Sequence, residues 1–182
     1  MLIIFEGPDG SGKSMLADHV YRKTSATYVH QGPPPAGAAF DTFMSTIEFA
    51  ARTPATVVAD RLHWGALPYG EVYRGGCELT LDEFIKLDTA IARLNGVLVL
   101  MGTTAAELNA RISQRDQSRS ELEQPQHTQR IIDLYMKRYR QARRTVPDLR
   151  VVRLEPPHLA PWQLDAYASR IADNLIRYAR SH

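Results

Sequence analysis

The sequence predicts an α/β domain: a five-stranded parallel sheet with helices on both faces. Three observations carry that expectation. Apolar runs of strand length alternate with amphipathic stretches of helical spacing, the pattern of βαβ units. A glycine-rich turn separates the first such run, Leu2 to Glu6, from the first helical stretch. The 182 residues, 44% hydrophobic and 23% charged, suffice for one well-buried core.

The elements follow in order. Leu2 to Glu6 is a short buried strand, and the helix after the turn places Leu16, Val20 and Lys23 at helical spacing. Thr27 to His30 reads as a second strand. Gln31 to Ala39, with three consecutive prolines, is a loop. Asp41 to Arg52 is helical, with Phe43, Ile47 and Ala50 on one face, and Thr56 to Asp60 is a third strand ending in an acid. Thr80-Leu81-Asp82-Glu83 is a capping box that opens a helix to about Leu94, with Leu81, Ile85 and Ala92 expected inward. Gly96 to Met101 is the most strand-like run of all. Thr104 to Glu107 repeats the capping box and starts another helix. A polar stretch, residues 115–129, precedes a helix from about Arg130 to Arg144. Leu149 to Leu154 is the fifth strand. Pro161 opens a last helix whose Leu164, Ala168, Ile171 and Leu175 face the core. Without repeat or linker, residues 1–182 are expected to form one domain, with a lid at about 115–129.

Composition narrows the function classes. Cys77 is the single cysteine, which excludes a disulfide scaffold and a cysteine-based zinc site. The six histidines lack ligand spacing. A net charge of +2, from 22 basic and 20 acidic residues, is too balanced for polyanion binding by bulk charge. No apolar run reaches the ~20 residues of a membrane span. The start, Met1 to Phe5, carries no basic segment and meets Glu6, so a cytoplasmic protein is expected.

Gly7-Pro8-Asp9-Gly10-Ser11-Gly12-Lys13-Ser14 fits G-x-x-x-x-G-K-[ST] in full, between a strand and a helix. Small residues let backbone N–H groups turn inward around phosphates, at a helix N-terminus whose dipole favours anions. Lys13 supplies a point charge to the β/γ-phosphates, and the Ser14 hydroxyl suits a Mg²⁺ shell. ATP and Mg²⁺ are therefore the expected cofactors. Asp9 is an anion inside this loop, where only an acceptor's sugar hydroxyl, bound or deprotonated, gives it a task beyond turn formation.

The run Phe5 to Ser14 resembles the opening of thymidylate kinases, F-E-G-x-D-G-[SA]-G-K-[ST], and Asp60-Arg61 at a strand end resembles their D-R motif. Leu67-Pro68-Tyr69-Gly70 is similar to the small-residue run that follows it, and Leu98 to Arg115 to the later strand, capped helix and lid. The resemblance implies a three-layer P-loop kinase fold and transfer of the ATP γ-phosphate to a (deoxy)nucleoside monophosphate. It implies that Asp9 holds the acceptor's 3′-hydroxyl, that Asp60 orders Mg²⁺, and that Arg61 touches the acceptor or transferring phosphate. Tyr69 joins them as a substrate-binding residue. An Asp-Arg pair at a strand's C-terminal end points into the crevice where open α/β sheets bind ligands. Gly102 stands where an acid commonly follows the later strand, leaving metal ordering to Asp60.

Arg111 and Arg115 share a helix face, with Arg119 beyond them. Arginines beside a polar segment suit a lid that closes over ATP and stabilises the transition state. Five cations between Lys137 and Arg144 form either a solvated helix face or a nucleic-acid contact. His30, His63, Trp64 and Tyr69 are alternatively pocket residues or core. Three function classes stand: a nucleotide or nucleoside kinase, a polynucleotide kinase, and a non-catalytic ATP-binding module. The expected partner is a small-molecule nucleotide or nucleoside, with nucleic acid and a homodimer as open alternatives and no membrane.

Overall fold

A computed structural model describes residues 1–114, 124–155 and 161–181. Its strands are β1 (Leu2–Glu6), β2 (Thr27–His30), β3 (Val57–Asp60), β4 (Val97–Met101) and β5 (Arg150–Leu154). The helices are α1 (Lys13–Thr24), α2 (Ala39–Arg52), α3 (Ala66–Tyr73), α4 (Leu81–Arg93), α5 (Ala105–Ser113), α6 (Pro125–Thr145) and α7 (Pro161–Arg180). All strand pairings are parallel, in the order β2-β3-β1-β4-β5.

Parallel strands covered on both faces read as continuous apolar runs, and β1 shows why. Alternate side chains point to opposite faces. Leu2 and Ile4 join one core with Val57, Ala59, Leu98 and Leu100, under α2, α3, α4 and α6. Ile3 and Phe5 join the other with Val58, Val97 and Val99, under α1 and α7. Each such side chain contributes roughly 1.5–3 kcal/mol through burial. The chain leaves β1 first toward β2 and β3 on one side, then toward β4 and β5 on the other. The crevice outside the carboxyl end of β1 is the topological switch point where ligands bind.

Three expectations need correction. Leu81 points outward, 49% exposed, because it is the first helical residue after the Thr80 cap and lies off the Phe84–Leu87–Asp88–Ile91 stripe that faces the core. Ile85 and Ala92 pack only partly against it. The helix expected from Arg130 begins at Pro125 instead, since proline's fixed φ suits a first helical turn. Residues 125–129 are thus helical and Gln124 is the cap; residues 115–123 of the expected lid lie outside the described ones, as does the side chain of Leu164. The helix α3 was not expected at all, and it shapes the site below. No helix among the described residues is long and apolar enough to cross a membrane.

Candidate active site

The turn between β1 and α1 is built for close approach. Gly7 adopts φ +143°, and a Cβ there would sit 2.9 Å from the Met101 Cβ on neighbouring β4. Gly12 caps α1 in the left-handed region at φ +89°. Glycine alone adopts such angles without strain. Lys13, although charged, is buried at the start of α1. Its Nζ donates to the Pro8 carbonyl at 3.1 Å and to Asp9 Oδ1 at 3.2 Å. Burial and the neighbouring Arg61 push its ammonium below the ordinary lysine range, against the pull of Asp9.

Asp9 is the hub. Its Oδ1 accepts from Lys13 and from an Arg61 guanidinium N–H, and its own backbone N–H donates to the Tyr69 hydroxyl at 2.9 Å. The awkward anion in the loop is thus held between two cations, with α3 supplying the third contact. Burial and the facing Asp9 raise the Tyr69 phenol far above its ordinary value, so it stays protonated. Arg61 follows β3 with φ +72°, in the left-handed region although it is not glycine. Its backbone N–H donates to the Phe5 carbonyl of β1 at 2.9 Å, while its Nε has no partner among the described residues.

Asp60 lies beside this cluster at the end of β3, almost fully buried. Tyr28 Oη donates to its Oδ2 at 3.1 Å and His30 Nδ1 sits 3.2 Å from the same oxygen, while Oδ1 has no partner among the described residues. His30 is therefore an Asp60 neighbour on β2. Ser11 Oγ and Glu6 Oε2 are also buried without a partner among the described residues. A Ser14 hydroxyl exposed at the first turn of α1 and the Asp60 carboxylate are oxygen donors of the kind a hard cation such as Mg²⁺ takes. No cluster of three or more His, Cys, Asp or Glu side chains among the described residues forms an all-protein metal cage.

A cleft opens beyond Arg61 toward the proline-rich loop, lined by Gln31, Phe43, Arg61, Tyr69, Arg74 and Tyr135 among others. The Gln31 amide is oriented by Thr46 Oγ1, 3.2 Å away, and by the Gly32 carbonyl at 3.1 Å. The Tyr69 ring stacks on Tyr73, which meets His127 of α6 edge-on. A second cavity lies past Pro8 at the ends of β4 and β5, lined by Thr103, Glu107, Tyr135, Met136 and Arg153 among others. At Gly102 a Cβ would sit 2.8 Å from Glu155 Cγ, so the missing acid's space is taken by Glu155.

The structure therefore brings together Asp9, Lys13, Asp60, Arg61 and Tyr69. Arg111 lies on α5, whose Leu108 and Ile112 share a small crevice with Asp9. Arg115 and Arg119 lie outside the described residues. Trp64 and His63 are fully buried and belong to the core, not to a pocket. The cation run on α6 is broken, because Arg138 is also fully buried. Sequence reasoning missed Glu6 as a site residue. Its Oε1 accepts the Leu62 and Trp64 backbone N–H groups at 3.0 and 2.8 Å. Burial raises its carboxyl above the ordinary range, against the lowering effect of His63, those two N–H groups and Lys13. An acid closing an otherwise apolar strand was the available signal.

No protein-family model and no curated protein sequence matches the chain. Solved structures do. The YorR protein of Bacillus subtilis, solved in complex with phosphorylated GDP, is 18% identical with TM-score 0.74, covering 100% of this chain and 99% of that one. The deoxyadenosine kinase of M. mycoides is 15% identical with TM-score 0.59, covering 98% and 100%. The thymidylate kinase of Candida albicans is 14% identical with TM-score 0.58, covering 97% and 91%. At such identities the likeness concerns architecture: the chain has the α/β fold of P-loop kinases, five parallel strands with helices on both faces and a glycine-rich turn after the first.

Proposed function

We propose that this chain is an ATP- and Mg²⁺-dependent kinase that transfers the γ-phosphoryl group to a (deoxy)nucleoside monophosphate. One observation carries the reading: the Asp9–Lys13–Arg61 cluster joins the phosphate-binding turn to the cleft beyond it. Phosphoryl transfer asks chiefly for positioning and for positive charge around the phosphate oxygens. Backbone N–H groups of Gly10, Gly12, Lys13 and Ser14 cradle the ATP phosphates, while those of Asp9 and Ser11 hold the turn itself, on the Tyr69 hydroxyl and the Pro8 carbonyl. Lys13 exchanges Asp9 for a phosphate oxygen, and Arg61 turns to the acceptor or transferring phosphate. Asp9, once released, accepts the acceptor's sugar hydroxyl. Tyr69 fixes the Asp9 backbone and lines the acceptor's seat. Ser14 and Asp60 would hold Mg²⁺, which would supply screening of the phosphate charge. Arg111, and by sequence Arg115 and Arg119, add charge on the ATP side.

A monophosphate is already anionic and needs no base, which suits an Asp9 whose Oδ1 serves two cations. A nucleoside hydroxyl is the second reading, favoured by the unpartnered Asp60 Oδ1, an oxygen free to accept a proton. The test is incubation with ATP·Mg²⁺ and a panel of nucleosides, monophosphates and oligonucleotides, with products identified by mass. A nucleoside diphosphate formed from a monophosphate is the expected product. Phosphorylation of nucleosides or oligonucleotides alone would overturn the acceptor assignment, and no transfer to any acceptor would overturn the kinase reading.

A further inference from the structure

Residues 62–64, which follow Arg61, are gripped by two buried carboxylates. Glu6 on β1 accepts the backbone N–H groups of Leu62 and Trp64. Asp88 on α4 accepts side chains: His63 Nε2 at 2.8 Å and Trp64 Nε1 at 3.0 Å on Oδ1, and an Arg138 guanidinium N–H on Oδ2. His63, Trp64, Asp88 and Arg138 are each 0% exposed. The Arg138 guanidinium also lies over the Phe84 ring, 4.5 Å from its centroid, and over Trp64 at 5.4 Å. Burial pushes the Asp88 carboxyl up, but His63, Arg138 and the Trp64 N–H together hold it below the ordinary range.

A buried ion pair is a weak source of stability, because apolar packing of equal volume commonly does as well. Its place here, under an otherwise apolar stripe of α4, coincides with a strained neighbour. Arg61 sits at φ +72°, and such backbone persists only where its surroundings over-determine it. We propose that Asp88 is a positioning residue: acting through His63 and Trp64, it holds the segment after β3 so that Arg61 stays left-handed with its guanidinium on Asp9. Arg138 pairs with the other oxygen of Asp88 in the core. The consequence for turnover rests on the phosphoryl-transfer reading; the geometric claim does not.

Three variants separate this device from ordinary core packing. His63→Leu removes one Asp88 donor, and His63→Gln returns an amide N–H near the position of Nε2. Trp64→Phe removes the other donor while keeping a ring under Arg138. In crystal structures, Arg61 is expected to leave the left-handed region and Asp9 in His63→Leu and to keep both in His63→Gln. In steady-state assays His63→Leu should lower kcat about 10- to 100-fold, the cost of a misplacement near 1 Å, with KM for ATP changed far less and His63→Gln close to wild type. In an Arg61→Ala background, His63→Leu should add no further loss, since both act through one guanidinium. An unmoved Arg61 in both His63→Leu and Trp64→Phe overturns the proposal, as do losses that multiply in the double variant. If the wild-type protein transfers no phosphoryl group, the kinase reading fails, and the crystal structures alone decide this one.

Discussion

Two aspartates in this molecule are each held by two basic side chains, and they serve opposite ends. Asp9 lies between Lys13 and Arg61 with its side chain 13% exposed, and Arg61 lines a cleft. Asp88 lies between His63 and Arg138 with every partner sealed from solvent. On the proposed function, the same pairing chemistry gives an exchangeable cluster at the first site and a fixed one at the second. There, partners that trade a carboxylate for a phosphate must reach the cleft, and partners that hold a backbone need not. Arg61 to Trp64 connects the two, four residues running from the exchangeable cluster into the fixed one.

The contrast predicts where mutations register. Asp88→Ala should have the largest effect, destabilising the protein by about 3–5 kcal/mol in chemical denaturation, because Arg138 is left charged and unpaired in the core. Replacing Asp88 and Arg138 together by Leu and Met should recover most of that; a double variant as unstable as the single one would refute the ion-pair account. Lys13→Ala should reverse the pattern. Transfer falls by ~10²–10³, about 2.7–4 kcal/mol of barrier, while the unfolding midpoint stays near wild type because Asp9 keeps Arg61. Normal turnover in this variant would end the kinase reading.

Asp9→Asn is a smaller and sharper probe. An amide oxygen still accepts from Lys13 and from a sugar hydroxyl, so with a monophosphate acceptor the loss should stay below the ~10²–10⁴-fold that removing a general base costs. A loss in that range, with metal affinity unchanged, would transfer the assignment to a hydroxyl acceptor. Asp60→Asn, run beside it, separates the two carboxylates. The smallest effect concerns pH. Glu6 has a raised folded pKa, so its contribution to stability is full below the unfolded value near 4.5 and declines as pH rises through the folded value. Asp88 has a lowered one, so its contribution is full above the unfolded value near 3.8 and is lost on acidification through the folded value. Glu6→Gln should therefore stabilise increasingly as pH rises in thermal melts, whereas a gain independent of pH would contradict the burial cause.

Much of this was legible in the residues. All five strands follow from apolar runs, and both capping boxes, Thr80–Glu83 and Thr104–Glu107, form as written. The motif at Gly7 to Ser14 and the Asp60-Arg61 pair identify the switch-point crevice without coordinates. The helix α3 was hidden because Pro68 and Gly70 both carry weak helix propensity; it forms because Leu67 and Tyr69 pack into the core. The Asp88 cluster hid for another reason. Asp88 and Arg138 lie on the apolar stripes of their helices, between Phe84 and Ile91 and between Leu134 and Ala142. A charge on an apolar stripe is a usable signal, but its partner, 50 residues away, is visible only once the fold is built.

The sheet order has a consequence for how the chain assembles. Strand β1 is central, yet it is synthesised before the other four and pairs, among the described residues, with Val57–Asp60 and Val97–Leu100. Closing a loop grows costlier with its length, though slowly, by ~0.6 kcal/mol per doubling. The apolar run Leu2 to Phe5 therefore waits unpaired while some fifty and then ninety residues follow, and the glycine-rich turn cannot close against Met101 until β4 has docked. Nonlocal parallel pairing of this kind folds slowly and exposes aggregation-prone segments meanwhile. In pulse-labelled hydrogen exchange, β1 amides should gain protection together with those of β4; protection of β1 ahead of both neighbours would show that it finds shelter elsewhere first.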